Sequence, residues 1–362
     1  MKEISKRLIM KELEDRYLKI RSIKIGKKFV GEKYPCYIIA EIGSNFDGSL
    51  SKAKKLIRLA KESGADAAKF QSFLTKNLLS ENGFENKTAF QSRWSESVWD
   101  TYRNAEFPRK WHKELAAYSK KLGIHFFTSP WDYEAVDLLE QVNSPAIKIG
   151  SGDITYLEIL KYIGKKNKPI LLATGASTIN EINNAIKVIY STGNKKIILM
   201  HSVTQYPSPL EEANLRVLET LKKKFKLNIG YSDHSPGQLI PLSSVAMGAC
   251  VIEKHFTLDP NLKGPDHPHS MNPKSFKEMV YNIRLLEKAL GDGKKKVENS
   301  EKQTRIIQRR GIWTVMPIKK GEKFSKNNLK ALRPCIGISS SEYEEWIGKR
   351  AKKQYRSFEA IK

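Results

Sequence analysis

Two histidines, two lysines and several carboxylates stand at the ends of short apolar runs in this chain, where strands would deliver them into a site. His234, in Ser232-Asp-His234, and His255, in Glu253-Lys-His-Phe256, each close such a run. Imidazoles on adjacent strand ends can bind one divalent transition ion and leave positions open for water and substrate. The acidic neighbours Asp233 and Glu253 are expected to orient the two rings. Lys69, in Ala67-Ala-Lys-Phe-Gln71, and Lys148, in Ala146-Ile-Lys-Ile-Gly-Ser151, share a second pattern, one lysine near the end of an apolar strand. A buried ammonium needs an anion or a carbonyl to offset its desolvation. One such lysine would suit a Schiff base. Two, with Ser151 and Ser232, point to a cradle for a ligand that carries phosphate and carboxylate. Glu41 and Gln71 close runs of the same kind. Asp266, in Gly264-Pro-Asp-His267, suits substrate hydroxyls or metal-bound water, whereas His267 and His269 read as loop residues outside the ligand set.

Eight such runs must position these groups: residues 37–43, 67–71, 125–130, 146–151, 169–174, 197–202, 228–234 and 250–256. Segments with helical periodicity separate them, for example 51–63 and 134–141. Short buried strands alternating with helices specify a parallel sheet, and eight repeats closing on themselves specify a (β/α)8 TIM barrel. The fold expected is therefore α/β, with catalytic groups at the C-terminal strand ends. Residues 1–33 read as an N-terminal extension with a helix near Ile4 to Leu13 and a strand pair at 23–25 and 28–30. The barrel is expected over 34–290, a Gly- and Lys-rich linker over 291–308 and a small β-rich domain over 309–362. The stretch 74–107 is long for a loop and rich in aromatics (Phe84, Phe90, Trp94, Trp99, Tyr102), as lids and self-packed insertions are.

The 362 residues contain no apolar run of membrane-spanning length, and the charged N-terminus lacks the apolar stretch of a secretory signal. Three separated cysteines, Cys36, Cys250 and Cys335, suit a reducing cytoplasm and read as small buried hydrophobes. The net charge of +25 would serve a polyanion partner. Its lysines are scattered, however, and not gathered on one aromatic-interleaved element. A solubilising surface is the better reading, so no nucleic acid or membrane partner is expected.

Taken in order, Ala40-Glu-Ile-Gly43 with Asn45 and Gly48, Lys69-Phe-Gln71, Lys148-Ile-Gly-Ser-Gly-Asp153, Ala173-Thr-Gly175, Tyr206-Pro207, Ser232-Asp-His234, Glu253-Lys-His-Phe256 and Gly264-Pro-Asp266 resemble the sialic acid synthase family. That family condenses phosphoenolpyruvate with an N-acetylated hexosamine, usually N-acetylmannosamine, to give a nine-carbon 2-keto acid and phosphate. Ile318-Lys-Lys-Gly-Glu322 and Arg333-Pro334 resemble the antifreeze-like (SAF) domain that accompanies it. The resemblance covers about residues 37 to 350.

It implies roles residue by residue. Lys69, Lys148, Ser151 and Ser232 fall at phosphoenolpyruvate-binding positions, with Ser129 at a neighbouring hydroxyl. His234 and His255 fall at the ligands of a divalent metal, Mn2+ first and Mg2+ or Co2+ next. Glu41, Gln71, Tyr206 and Asp266 fall around the sugar and the reacting carbons, and Arg333 falls where the SAF domain reaches the acceptor across a swapped homodimer. Glu41 and Asp153 are the carboxylates for proton transfer. Three departures stand out: Phe46 for a usual His, Ala173 for Ser and Thr204 for Asn, the first and third expected on the acceptor side. The acceptor stays open among N-acetylmannosamine, its 6-phosphate and diacetamido-trideoxyhexoses. Two other readings are a related phosphoenolpyruvate-dependent synthase with a different acceptor and a non-catalytic polyanion-binding barrel.

Overall fold

The computed structural model describes residues 20–87 and 89–362; the helix expected over Ile4 to Leu13 lies outside them. A short antiparallel hairpin, β1 (Ile23–Ile25) and β2 (Lys28–Val30), precedes the main sheet. All eight apolar runs then form strands: β3 (Tyr37–Gly43), β4 (Ala67–Ser72), β5 (His125–Pro130), β6 (Ile147–Ile149), β7 (Ile170–Ala173), β8 (Ile197–His201), β9 (Asn228–Asp233) and β10 (Val251–His255). They pair in parallel in the order β5-β4-β3-β10-β9-β8-β7-β6. Between β5 and β6 the ladder is replaced by side-chain links, with Ser144 Oγ donating to the Phe126 carbonyl at 3.3 Å. The result is the (β/α)8 near-barrel the pattern specified.

Strands covered on both faces read as continuous apolar runs, and β3, β8 and β10 are buried at every position. The helix Leu50–Glu62 turns Ala53, Leu56, Ile57 and Ala60 onto the sheet, a stripe with helical spacing, and Ser49 caps it by accepting from the Lys52 amide. The helix Ile179–Ser191 is opened by reciprocal hydrogen bonds between Thr178 and Glu181. A second core fills one end of the barrel, where Ile23, Ile25 and Val30 of the hairpin meet Tyr37, Phe127, Leu171 and Met200.

The long stretch after β4 is not structureless. It holds the helices Thr75–Leu78 and Val98–Asn104 and two 3-10 turns, Glu81–Phe84 and Ala89–Arg93. Its ends are tied by Glu106 Oε1, which accepts from the Thr75 amide at 2.7 Å. Phe46 also differs from expectation. It is fully buried against Phe70, Phe107 and Trp111, at ring separations of 6.1, 5.7 and 5.6 Å, and belongs to the layer between strands and helices.

The chain forms two units, Met1–Gly291 and Asp292–Lys362. In the second, β11 (Gly311–Thr314) pairs antiparallel with β12 (Leu329–Leu332). Bridges join Ile318 to Tyr355, Lys323 to Arg350 and Trp313 to Ala360, so the C-terminal residues complete the small sheet-like core of Ile312, Ile318, Phe324, Leu329, Tyr355 and Ile361. Part of the stretch read as a linker is helical, Glu301–Gln308, and the Ile306 carbonyl accepts from the Cys335 amide at 2.9 Å. Cys36 and Cys250 are buried, whereas Cys335 is only half-buried. Among the described residues no helix is long and apolar enough to cross a membrane.

Candidate active site

Alternation along the strands decides which side chains enter the barrel. On β4, Lys69 and Gln71 point inward and Phe73 follows just past the strand end; on β10, Glu253 and His255 point inward while Lys254 points away. These groups line a cavity of about 300 Å³ with Glu41, Ser129, Lys148, Ser151, Asp153, Tyr206, Ser232, His234 and Asp266. The structure thus brings twelve of the thirteen sequence-derived site residues into one cavity. Arg333 stands exposed in the second unit, directly after β12.

The two lysines are not bare. Lys69 Nζ lies 2.8 Å from Glu41 Oε2 and 3.4 Å from Glu253 Oε1, and Lys148 Nζ lies 3.2 Å from the same Glu253 oxygen. Lys69 also donates to Ser129 Oγ at 3.2 Å, Ser232 Oγ to Glu253 Oε1 at 3.0 Å and Gln71 Nε2 to Glu41 Oε1 at 2.8 Å. All four charged groups are at least 96% hidden from solvent by their 1–4% exposure. Burial pushes the Glu253 carboxyl up, but Lys148 and Lys69 outweigh it and hold it well below the usual range. Burial pushes Glu41 the same way and there prevails over Lys69, so its carboxyl is raised. For the lysines burial favours loss of the proton; Glu253 and Glu41 reverse this at Lys69, while Lys148 stays lowered. Asp153, on the turn Ser151–Asp153, has no such partner, and burial pushes it up to about 7.

A cluster of imidazoles faces this charged floor. The rings of His234 and His255 lie 5.5 Å apart. His234 Nδ1 donates to the Val203 carbonyl at 2.9 Å, which leaves Nε2 as the free lone pair. Asp233 and Glu253 do not orient these rings, contrary to expectation. Asp233 points out of the barrel and pairs with Lys254, and Glu253 serves the lysines, because neighbouring residues on a strand face opposite ways. Burial lowers His234 to about 3 and holds His255 well below its ordinary value, so both are neutral and able to donate to a metal.

His269, set aside as a loop residue, comes into the cluster. Ligand atoms of His255, Asp266 and His269 all lie within 4.8 Å of one another. His255 Nδ1 and His269 Nε2 are buried with no hydrogen-bond partner among the described residues. Orphaned imidazole nitrogens facing a carboxylate form a donor set that fits a divalent ion. Asp266 is fixed by the Ser44 amide and hydroxyl, both donating to Oδ2 at 2.8 Å. Gly43 makes that approach possible: at φ +54, a Cβ there would lie 2.3 Å from Asp266 Oδ2. His267 remains structural, bonded to Thr257 and Asp47 at 2.6 and 3.0 Å. Of the departures, Ala173 and Thr204 line the cavity and Phe46 does not.

Residues 56–295 match the NeuB family and residues 309–357 match the SAF domain. The chain belongs to the NeuB family. It is 46% identical over 330 residues to N,N'-diacetyllegionaminic acid synthase of Campylobacter jejuni, covering 90% of this chain and 98% of that protein. A second N,N'-diacetyllegionaminic acid synthase, from Legionella pneumophila, is 38% identical, with coverage of 90% and 93%. In fold the chain is similar to the crystal structure of N-acetylneuraminic acid (sialic acid) synthetase from Leptospira borgpetersenii in complex with citrate, at a TM-score of 0.72 and 33% identity, covering 78% of this chain and 95% of that one. As a NeuB-family member with these relatives, the chain is an enzyme of the nonulosonic acid synthase kind, a transferase-type barrel followed by a SAF domain.

Proposed function

We propose that the enzyme condenses phosphoenolpyruvate with an N-acylated hexosamine to a nine-carbon 2-keto acid. The carrying observation is the pair of buried lysines sharing Glu253 on the cavity floor beside the neutral imidazole cluster. C3 of phosphoenolpyruvate bonds to the aldehyde carbon of the open-chain sugar, whose oxygen takes a proton and becomes a hydroxyl. Water then adds at C2, the C–O bond to phosphate breaks, and the 2-keto group forms as phosphate leaves.

Lys69 and Lys148, with Ser129, Ser151 and Ser232, hold the phosphate and carboxylate of the enolpyruvate. With Glu41 carrying a proton, as its burial favours, the floor has one cation in excess and attracts that anion. Glu41 then donates its proton to the new hydroxyl oxygen. Asp153, able to change charge near neutral pH, takes the proton from the attacking water. Gln71 holds Glu41 in place, and Tyr206 and Asp266 orient the sugar. His234, His255, Asp266 and His269 would hold a divalent ion, Mn2+ first. When bound it supplies Lewis-acid polarisation of the sugar carbonyl. Arg333 completes the acceptor site across a swapped homodimer in the cytoplasm.

The 46% identity to a diacetyllegionaminic acid synthase supports a diacetamido-trideoxyhexose as acceptor over N-acetylmannosamine. Phosphate release from phosphoenolpyruvate with Mn2+, measured with each acceptor, tests the reading. Release that needs one acceptor and stops on chelation is the expected result. Release without any acceptor, or none with all of them, would refute it.

A further inference from the structure

The cavity has two chemically distinct ends. Lys69, Gln71 and Phe73 alternate inward along one line, so Phe73 lies four residues, roughly 13 Å, beyond the lysine toward the mouth. There a chain of aromatic rings begins. Trp131 sits 5.2 Å from Phe73, Phe73 5.5 Å from Tyr102, Tyr102 6.0 Å from Trp94, Trp94 5.7 Å from Phe90 and Phe90 5.0 Å from Tyr206. Tyr206 in turn lies 4.3 Å from the His234 ring, tilted at 50°. The insertion after β4 therefore crosses the mouth and meets the loop after β8. The turn bearing Trp94 is held by Lys87, which donates to the Trp94 carbonyl at 2.6 Å.

Among the described residues, the ring side chains of this arc carry no positive charge, and Lys87 is turned to the Trp94 carbonyl. Among the described residues lining the cavity, the only cationic side chains are Lys69 and Lys148, both committed to carboxylates at the opposite end. Arg109, at the base of the insertion, is occupied by Ser72 and Asp132. A phosphate dianion entering the arc would lose its hydration without gaining a cationic partner from the described residues that line it, whereas methyl groups would gain by burial.

We propose that the arc of Phe73, Trp94, Tyr102 and Trp131 determines acceptor specificity, packing against the deoxy and acyl methyl groups at the sugar's far end and rejecting an acceptor phosphorylated there. This rests on the reading of the cavity as a condensing site. Trp94 is a specificity residue supplied by the insertion, with no part in the chemistry at the floor.

The test is kcat/KM on the full chain for three acceptors: a 2,4-diacetamido-2,4,6-trideoxyhexose, N-acetylmannosamine and N-acetylmannosamine 6-phosphate. The wild type should prefer the trideoxy sugar by about 10-fold or more and release no phosphate with the 6-phosphate. Trp94→Ala should cut that preference by about 10-fold with the KM for phosphoenolpyruvate unchanged, and Trp94→Phe should retain it. Equal losses for all acceptors in Trp94→Ala would overturn the proposal, as would efficient use of the 6-phosphate by the wild type, which needs no variant to fold. Turnover with any acceptor leaves the condensing reading intact while specificity is judged. Silence with all three in the wild type overturns both.

Discussion

Replacing Asp153 by Asn should make the enzyme more stable and less active, with both effects dependent on pH. Burial raises this carboxyl from its ordinary 3.8 to about 7, with no cation to offset the desolvation. The folded state therefore binds the proton more tightly than the unfolded chain between those limits. Stability contributed by the protonated form is complete at low pH and is lost as pH rises from about 4 to about 7; above 7 the full penalty remains. At 1.36 kcal/mol per pH unit, that gap sets a ceiling of ~4 kcal/mol, and partial solvent access reduces it to ~2. An amide cannot ionise, so Asp153→Asn should unfold at a Tm about 4 °C above wild type at pH 8 and level with it at pH 4.5. The assay is thermal unfolding across pH 4.5 to 8.5 beside phosphate-release kinetics. If Asp153 takes a proton from water, kcat should fall 100-fold or more in the same variant. A stability difference that does not vary with pH would refute the desolvation argument. Undiminished kcat in the stabilised variant would remove Asp153 from proton transfer.

Three further outcomes separate the remaining roles. His269→Ala should weaken Mn2+ affinity by about 10- to 100-fold, as should His255→Ala, while a spectator loop histidine would leave metal titration unmoved. Lys148→Ala should raise the KM for phosphoenolpyruvate far more than that for the sugar; an unchanged KM would count against the anion cradle. Phe46→Ala should cost about 3–5 kcal/mol in chemical denaturation, since the ring is fully buried among three aromatics, yet leave kcat of the folded fraction intact. A change in acceptor preference there would return residue 46 to the acceptor side.

The strands were legible because a doubly covered parallel sheet leaves uninterrupted apolar runs, and all eight strands end within two residues of the ends of those runs. Lys69, Lys148, His234 and His255 could be picked out for the same reason, as polar residues inside apolar strands. What failed was the assignment of partners. Adjacency in sequence suggested that Glu253 serves His255, yet Glu253 bonds the lysines of β4 and β6, which lie across the barrel. The period-two alternation held a clue, since it puts Lys254 and Asp233 together on the outer face. His269 carried no periodic signal because loop conformation, set here by Ser270 Oγ bonding the Asp266 carbonyl at 2.5 Å, is not written in a strand or helix pattern. Phe46 was misread from its motif neighbours: Asn45 does reach the eighth loop, donating to the Phe256 carbonyl at 3.0 Å, while the next side chain turns to the core.

The same architecture explains how a chain of net charge +25 keeps a balanced site. Every barrel helix runs antiparallel to its strands, so helix C-termini gather at the end opposite the catalytic mouth. Lysines occupy the last turn of several of them: Lys61, Lys120 and Lys121, Lys165, Lys222 to Lys224, and Lys288. Each is stabilised there by the negative end of its helix, by about 0.3–1 kcal/mol. These charges meet a local need and project away from the cavity. Within the cavity two lysines are matched by Glu41 and Glu253, so small proton shifts on the carboxylates, and not the surface excess, set the charge that the proposed anionic substrate meets.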